Sequence, residues 1–65
     1  MSVSKNIKLY LIDHEIKQKT VADRIQMDYD KLSQTLNEKR KLNVEEFAKI
    51  VRVLGVSADV FLKDN

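Results

Sequence analysis

The chain has 65 residues, of which 43% are hydrophobic and 34% are charged, and its formal net charge is +2. This length suits one domain, residues 1–65, with a thin margin of stability, because so short a chain buries only about 60% of its unfolded surface. No cysteine and a single histidine argue against a disulfide or a metal site. The sequence has no apolar run long enough to predict a membrane span, and no apolar signal region follows Met1. We therefore expect a cytoplasmic protein.

Charge is unevenly distributed along the chain. Residues 1–41 hold nine Lys/Arg and six Asp/Glu, which gives +3, whereas residues 42–65 hold three and four, which gives −1. The basic run is Lys39-Arg40-Lys41. This bias is compatible with a nucleic-acid partner, although in an arbitrary protein such a run is more often a solvated loop.

The sequence predicts an all-α fold. It has no proline, one glycine, and no alternating β-branched segment between turn residues. In chain order we predict a compact five-helix bundle with helices at about 4–14, 18–25, 29–37, 44–54 and 58–62.

The first and fourth helices carry the apolar stripes of a core. Ile7, Tyr10 and Leu11 share one face of the first, with Ser4 as its cap, while Leu9 and Ile12 fall outside that stripe and are either exposed or part of a contact surface. The fourth helix has the strongest stripe and is predicted to begin after the cap Asn43 and to end at Gly55. Its apolar residues are Phe47, Ile50, Val51 and Leu54.

Residues 16–36 have the layout of two short helices joined by a tight turn. The apolar residues are Val21, Ala22 and Ile25 in the first helix and Leu32 and Leu36 in the second. The turn, residues 26–28, provides an apolar plug and then Asp28, which is suited to cap the second helix at a gain of about 1 kcal/mol. This is the pattern of a helix-turn-helix, whose second helix is suited to a DNA major groove.

These segments resemble the phage-repressor helix-turn-helix family, the type of lambda repressor and Cro. The resemblance covers nearly all of the chain and is carried by the patterns IKQKTVADRI from Ile16, MDYDKLSQ from Met27, NEKRKL from Asn37 and FAKIVRVLGVS from Phe47. It implies a sequence-specific double-stranded DNA-binding domain.

Three departures from the family pattern are informative. Gln26 and Glu38 stand where the family usually has glycine, so we expect one or both turns to be built differently. Leu11 and Leu36 stand where many members bury an arginine against a glutamate. Because packed hydrophobic residues can replace a buried ion pair at little cost, we predict that these two leucines touch.

The third helix carries the candidate base-reading residues. With Leu32 and Leu36 directed inward, Gln34 is placed to pair with adenine, Lys31 with guanine and Asp30 with the cytosine amino group. The alternative is a solvated face, which the two carboxylates Asp28 and Asp30 favour because they repel a polyanion. The predicted base-contacting set is Tyr29, Asp30, Lys31, Ser33 and Gln34.

Phosphate contacts are expected on either side of this helix. Gln18 matches the family's glutamine at the start of the second helix, where the resemblance implies a phosphate contact. The remaining candidates follow the third helix and are Asn37, Lys39, Arg40 and Lys41.

The last segment holds more apolar surface than a short terminal helix needs. We therefore expect a homodimer whose contact includes Val56, Val60, Phe61 and Leu62. The predicted function is a phage or mobile-element repressor acting on double-stranded DNA at the bacterial nucleoid. The alternative is an interaction module of the same fold, such as an antirepressor or adaptor. No constellation of acid, base, nucleophile or phosphate loop predicts an enzyme, a cofactor or a small-molecule ligand.

Overall fold

The computed structural model describes residues 2–63 and confirms an all-α fold for that part of the chain. The predicted five-helix count is confirmed only in part, because the last element is a single turn of 3-10 helix and not an α-helix. In order, the elements are α1 (Val3–Asp13), α2 (Gln18–Arg24), α3 (Tyr29–Leu36), α4 (Val44–Leu54) and a 3-10 helix at Ala58–Phe61.

One hydrophobic cluster joins every element of the fold. Its members are at most 6% exposed, and they are Ile7, Leu11, Val21, Ala22, Ile25, Leu32, Leu36, Ile50 and Phe61. Within it α3 packs against both α1 and α2, so the helix is held from two sides. Leu11 and Leu36 are both buried in this cluster, and a direct contact between them stays a prediction.

Two of the predicted helix caps need correction. The cap of α1 is Ser2 and not Ser4, since the Ser2 hydroxyl accepts a hydrogen bond from the amide of Lys5 at 3.1 Å. Asp28 does precede α3, but its side chain accepts no capping hydrogen bond among the described residues. The predicted cap Asn43 is confirmed: it exchanges hydrogen bonds with Glu46 in a capping box at the start of α4.

All four α-helices end in the same left-handed turn. In each case a residue just past the helix has positive φ, and the following amide bonds back to a carbonyl in the last turn. These amide-to-carbonyl bonds are Ile16 to Leu11 (2.8 Å), Met27 to Ala22 (2.9 Å), Lys39 to Gln34 (2.8 Å) and Val56 to Val51 (3.4 Å).

Only the last of these turns uses glycine. The left-handed residues of the other three are Glu15, Gln26 and Glu38, with φ of 54°, 56° and 63°. The expectation that the turns at Gln26 and Glu38 would be built differently is therefore wrong. At Gln26 the next residue, Met27, packs against the core, and this apolar contact fixes the direction of the chain despite the unfavourable φ.

Gln26→Gly tests whether this conformation is strained. A left-handed residue with a Cβ costs about 1–2 kcal/mol, part of which glycine removes, so we expect the free energy of unfolding to rise by about 1 kcal/mol. The measurement is urea denaturation followed by circular dichroism. Lys49→Gly, inside α4, is the matched control and should lower stability by about 1 kcal/mol. A lower midpoint for Gln26→Gly would contradict the assignment of strain.

Candidate nucleic-acid interface

The outward face of α3 carries the predicted base-contacting residues. Asp30, Lys31 and Gln34 are exposed, Tyr29 is 46% exposed at the start of the helix, and Ser33 is half-buried on one flank. Lys31 lies on the other flank, where it lines a small pocket together with Glu46 of α4. The face therefore presents an amide, a carboxylate and an ammonium group to solvent on a short rigid element.

The opposite side of α3 is anchored in the core. Leu32 and Leu36 are buried, and so is Thr35, the one buried polar residue of the described chain. The Thr35 hydroxyl donates to the carbonyl of Lys31 at 2.8 Å, which satisfies it within the helix. Three buried residues in eight leave this helix little freedom to rotate about its axis.

The start of α2 meets the start of α3 at a cavity of about 480 Å³. It is lined by Lys17, Gln18, Lys19 and Tyr29, so the structure brings a predicted phosphate contact beside a predicted base contact. Sequence reasoning missed the two lysines, although their position on either side of Gln18 is visible in the sequence. Both are exposed. Lys17 adds positive charge where a phosphate contact is expected, whereas the charge of Lys19 is partly offset by the Asp23 carboxylate at 3.9 Å.

A third missed lysine lies at the end of α3. The Lys8 ammonium of α1 donates to the side-chain oxygen of Asn37, whose amide donates to the carbonyl of Ser33 at 2.9 Å. Lys8 is 29 positions away from Asn37, so no local sequence signal could have placed it there. The Lys8 ammonium group extends the positive charge of the candidate interface beyond the C-terminal end of α3.

Arg40 has internal partners that the sequence did not indicate. Its guanidinium donates to both carboxylate oxygens of Glu46, at 3.0 and 2.8 Å, and to the Thr35 hydroxyl at 2.9 Å. Glu46 also accepts from the Asn43 amide in the capping box. We call Thr35, Arg40 and Glu46 the clamp, because they join the buried side of α3 to the start of α4.

The clamp perturbs the ionisation of both charged partners. The hydrogen bond from Arg40 is the main cause that lowers the pKa of Glu46, against an opposing effect of burial. The same bond raises the pKa of Arg40. Lys39 and Lys41, by contrast, are exposed on either side of the clamp and form no ion pair within residues 2–63.

The predicted dimer residues do not form one exposed surface. Phe61 is fully buried against Tyr10 and Phe47 and must be removed from the set, because a core side chain is unavailable to a partner. Val56 is partly buried and packs on the core. Val60 and Leu62 are exposed, at 44% and 45%, but they line different depressions of the surface.

This geometry, an anchored second helix after a tight turn with its polar face outward, defines a helix-turn-helix domain. The model of the Cro/C1-type HTH DNA-binding domain family matches residues 6–62. The chain belongs to this family of DNA-binding domains. The comparisons with curated proteins and with solved structures found no match. Among residues 2–63, no helix has both the length and the apolar character to cross a membrane.

Glu46→Gln tests the clamp through its pH dependence. Because the folded-state pKa of Glu46 is lowered, its contribution to stability is present above the ordinary glutamate pKa of about 4.3 and is lost as pH falls through the folded value. We expect Glu46→Gln to lower the melting temperature at pH 7 and to flatten its decrease in acid. Glu45→Gln, the exposed neighbour, is the control and should follow the wild-type curve. A Glu46→Gln curve parallel to wild type would refute the clamp.

Proposed function

We propose that this protein is a sequence-specific transcriptional regulator of the phage or mobile-element repressor type that binds double-stranded DNA as a dimer. The observation that carries the proposal is the exposure of Asp30 and Gln34 on a helix whose opposite side is buried. A major groove about 12 Å wide admits such a helix and displays a distinct pattern of donors and acceptors for each base pair.

Base reading is assigned to the outward face of α3. Gln34 offers the donor and acceptor pair that matches adenine, Lys31 a donor for guanine, and Asp30 an acceptor for the cytosine amino group. Tyr29 and Ser33 border this set at the start and on one flank of the helix. An acidic residue here has a role in specificity, since a carboxylate that pairs with no base repels the phosphates on either side.

Phosphate binding is assigned to the groups around that face. Gln18 with Lys17 and Lys19 lies at one end of α3, and Lys39 with Lys41 follows the other end. Asn37 is supported by Lys8. Arg40, although it belonged to the predicted set, is assigned first to the clamp, and its part in phosphate binding is to hold the two lysines in position.

A dimer is proposed through α1 and the 3-10 helix. Leu9, 47% exposed, and Val60 line one shallow depression with Asp13 and Lys63, whose opposite charges suit a two-fold contact. The domain measures 28 × 24 × 22 Å across its Cα atoms. Half-sites about 34 Å apart on one face of DNA therefore bring two copies within side-chain reach.

The DNA interface is tested by comparing two variants on duplexes selected from a random pool. We expect Gln34→Ala to lose a direct base contact. The binding free energy that separates the preferred base from the others at one position should therefore fall by about 1–3 kcal/mol. Lys41→Ala should weaken all duplexes alike and reduce the salt slope by about one, because a phosphate contact is lost. Arg52→Ala, an exposed cation of α4, is the control and should leave both quantities unchanged.

Two outcomes would contradict this assignment. If Gln34→Ala keeps the wild-type sequence preference, Gln34 and the face of α3 around it do not read the bases. Absence of any binding to random duplex at low salt would remove DNA as the partner and favour an interaction module, for which the exposed Leu9 and Ile12 supply an apolar surface.

The dimer is tested by Val60→Glu in light scattering over a dilution series. A charge at this position should be buried by dimerisation, so we expect the variant to remain monomeric where wild type is dimeric and to bind a two-half-site duplex more weakly. Val44→Glu, at an exposed valine that does not line the depression at Leu9 and Val60, is the matched control and should dimerise normally. A wild-type protein that stays monomeric at high micromolar concentration and occupies half-sites singly would refute the dimer.

A further inference from the structure

Another depression of the surface lies outside the proposed base-reading face. It is a groove of about 540 Å³ between the start of α1, the loop of residues 38–43 and the start of α4. This volume lies within the range of about 300–1,000 Å³ that is usual for ligand clefts. We call it the basic groove, for the lysines described below.

Much of the lining of the basic groove is apolar. Val44, at 82%, is the most exposed large hydrophobic residue of the described chain, and Leu62 is 45% exposed beside it. The half-buried side chains of Val3, Leu42 and Phe47 complete this apolar part of the lining. Neighbouring apolar side chains that remain exposed in this way are typical of a contact surface, whereas single exposed residues are not.

The basic groove also carries positive charge. Lys39 and Lys41 line it and form no ion pair within residues 2–63, while Arg40 is neutralised by Glu46 and Glu38 contributes one carboxylate. A second copy of this chain is a poor occupant, because a two-fold contact would bring these lysines together with their own equivalents. A partner with carboxylates around an apolar anchor is complementary in both respects.

We propose that the basic groove binds an acidic amphipathic helix of a protein partner, with apolar residues on Val44, Phe47 and Leu62 and carboxylates against Lys39 and Lys41. This is the helix-in-groove mode of recognition. The proposal rests on the proposed function in one respect, since the two lysines are also the assigned phosphate contacts. A bound acidic helix then competes with DNA and releases the regulator from its site.

The direct test does not involve DNA. The probe is a labelled synthetic helix of about 16 residues with leucines along one face and glutamates on both flanks, titrated with the full chain and followed by fluorescence anisotropy. We expect binding that weakens at least tenfold with Val44→Glu and at least threefold with Lys41→Gln. Val44→Glu should fold normally, because Val44 is exposed at the first position of α4, where a carboxylate is favourable. Val60→Glu, outside the groove, should bind as wild type does.

Two control peptides decide the chemistry. One has lysine for glutamate and the other has its leucines scattered around the helix, and neither should bind measurably. Equal binding of either peptide, no binding of the acidic helix, or retention of affinity by Val44→Glu would overturn the proposal. Loss of dimerisation in Val44→Glu would also overturn it, since the occupant would then be a second copy.

Competition with DNA is measured separately. The acidic helix should raise the apparent Kd for a selected duplex at least tenfold for wild type and leave it unchanged for Val44→Glu. If the peptide binds but does not compete with DNA, the proposed release of the regulator from DNA is overturned, while the assignment of the groove as a peptide-binding site stands. If the chain binds the peptide but binds no duplex at low salt, the proposed function is refuted instead. Failure of the groove proposal and failure of the proposed function are therefore distinguishable.

Discussion

The burial of one side of α3 is the constraint on which the rest of the structure depends. Leu32, Thr35 and Leu36 are at most 1% exposed, and they account for three of the eight residues of this helix. A helix this short has little stability of its own, so its direction and rotation are set by packing against α1 and α2. The exposed face is thereby presented as a rigid surface, which recognition of base edges requires.

The clamp extends this constraint to the loop that follows. Arg40 reaches both the Thr35 hydroxyl and the Glu46 carboxylate, so it connects the core side of α3 with the first turn of α4. Replacing it would change the folded state as well as the surface charge. A residue in the middle of a basic run is thus structural, while its two neighbours face solvent.

The two exposed apolar surfaces differ in their charge. The depression at Leu9 and Val60 has one acidic and one basic residue at its edge, which suits a copy of the same chain. The basic groove at Val44 and Leu62 is also lined by Lys39 and Lys41, which suits a partner of opposite charge. Under the two proposals above, charge separates the surface for self-association from the surface for a different partner.

The sequence by itself determined the all-α class, the four α-helices to within a residue or so at each end, and the exposed face of α3. It did so because apolar periodicity records which side of a helix is buried, and burial supplies most of the stability. Only the tertiary structure decided the left-handed turns at Glu15, Gln26 and Glu38, the clamp partners of Arg40 and the burial of Phe61. These features depend on residues that come into contact only after folding. An apolar contact beyond the end of a helix, a buried hydroxyl group or a facing aromatic ring can override the conformation or exposure that the local residue type prefers.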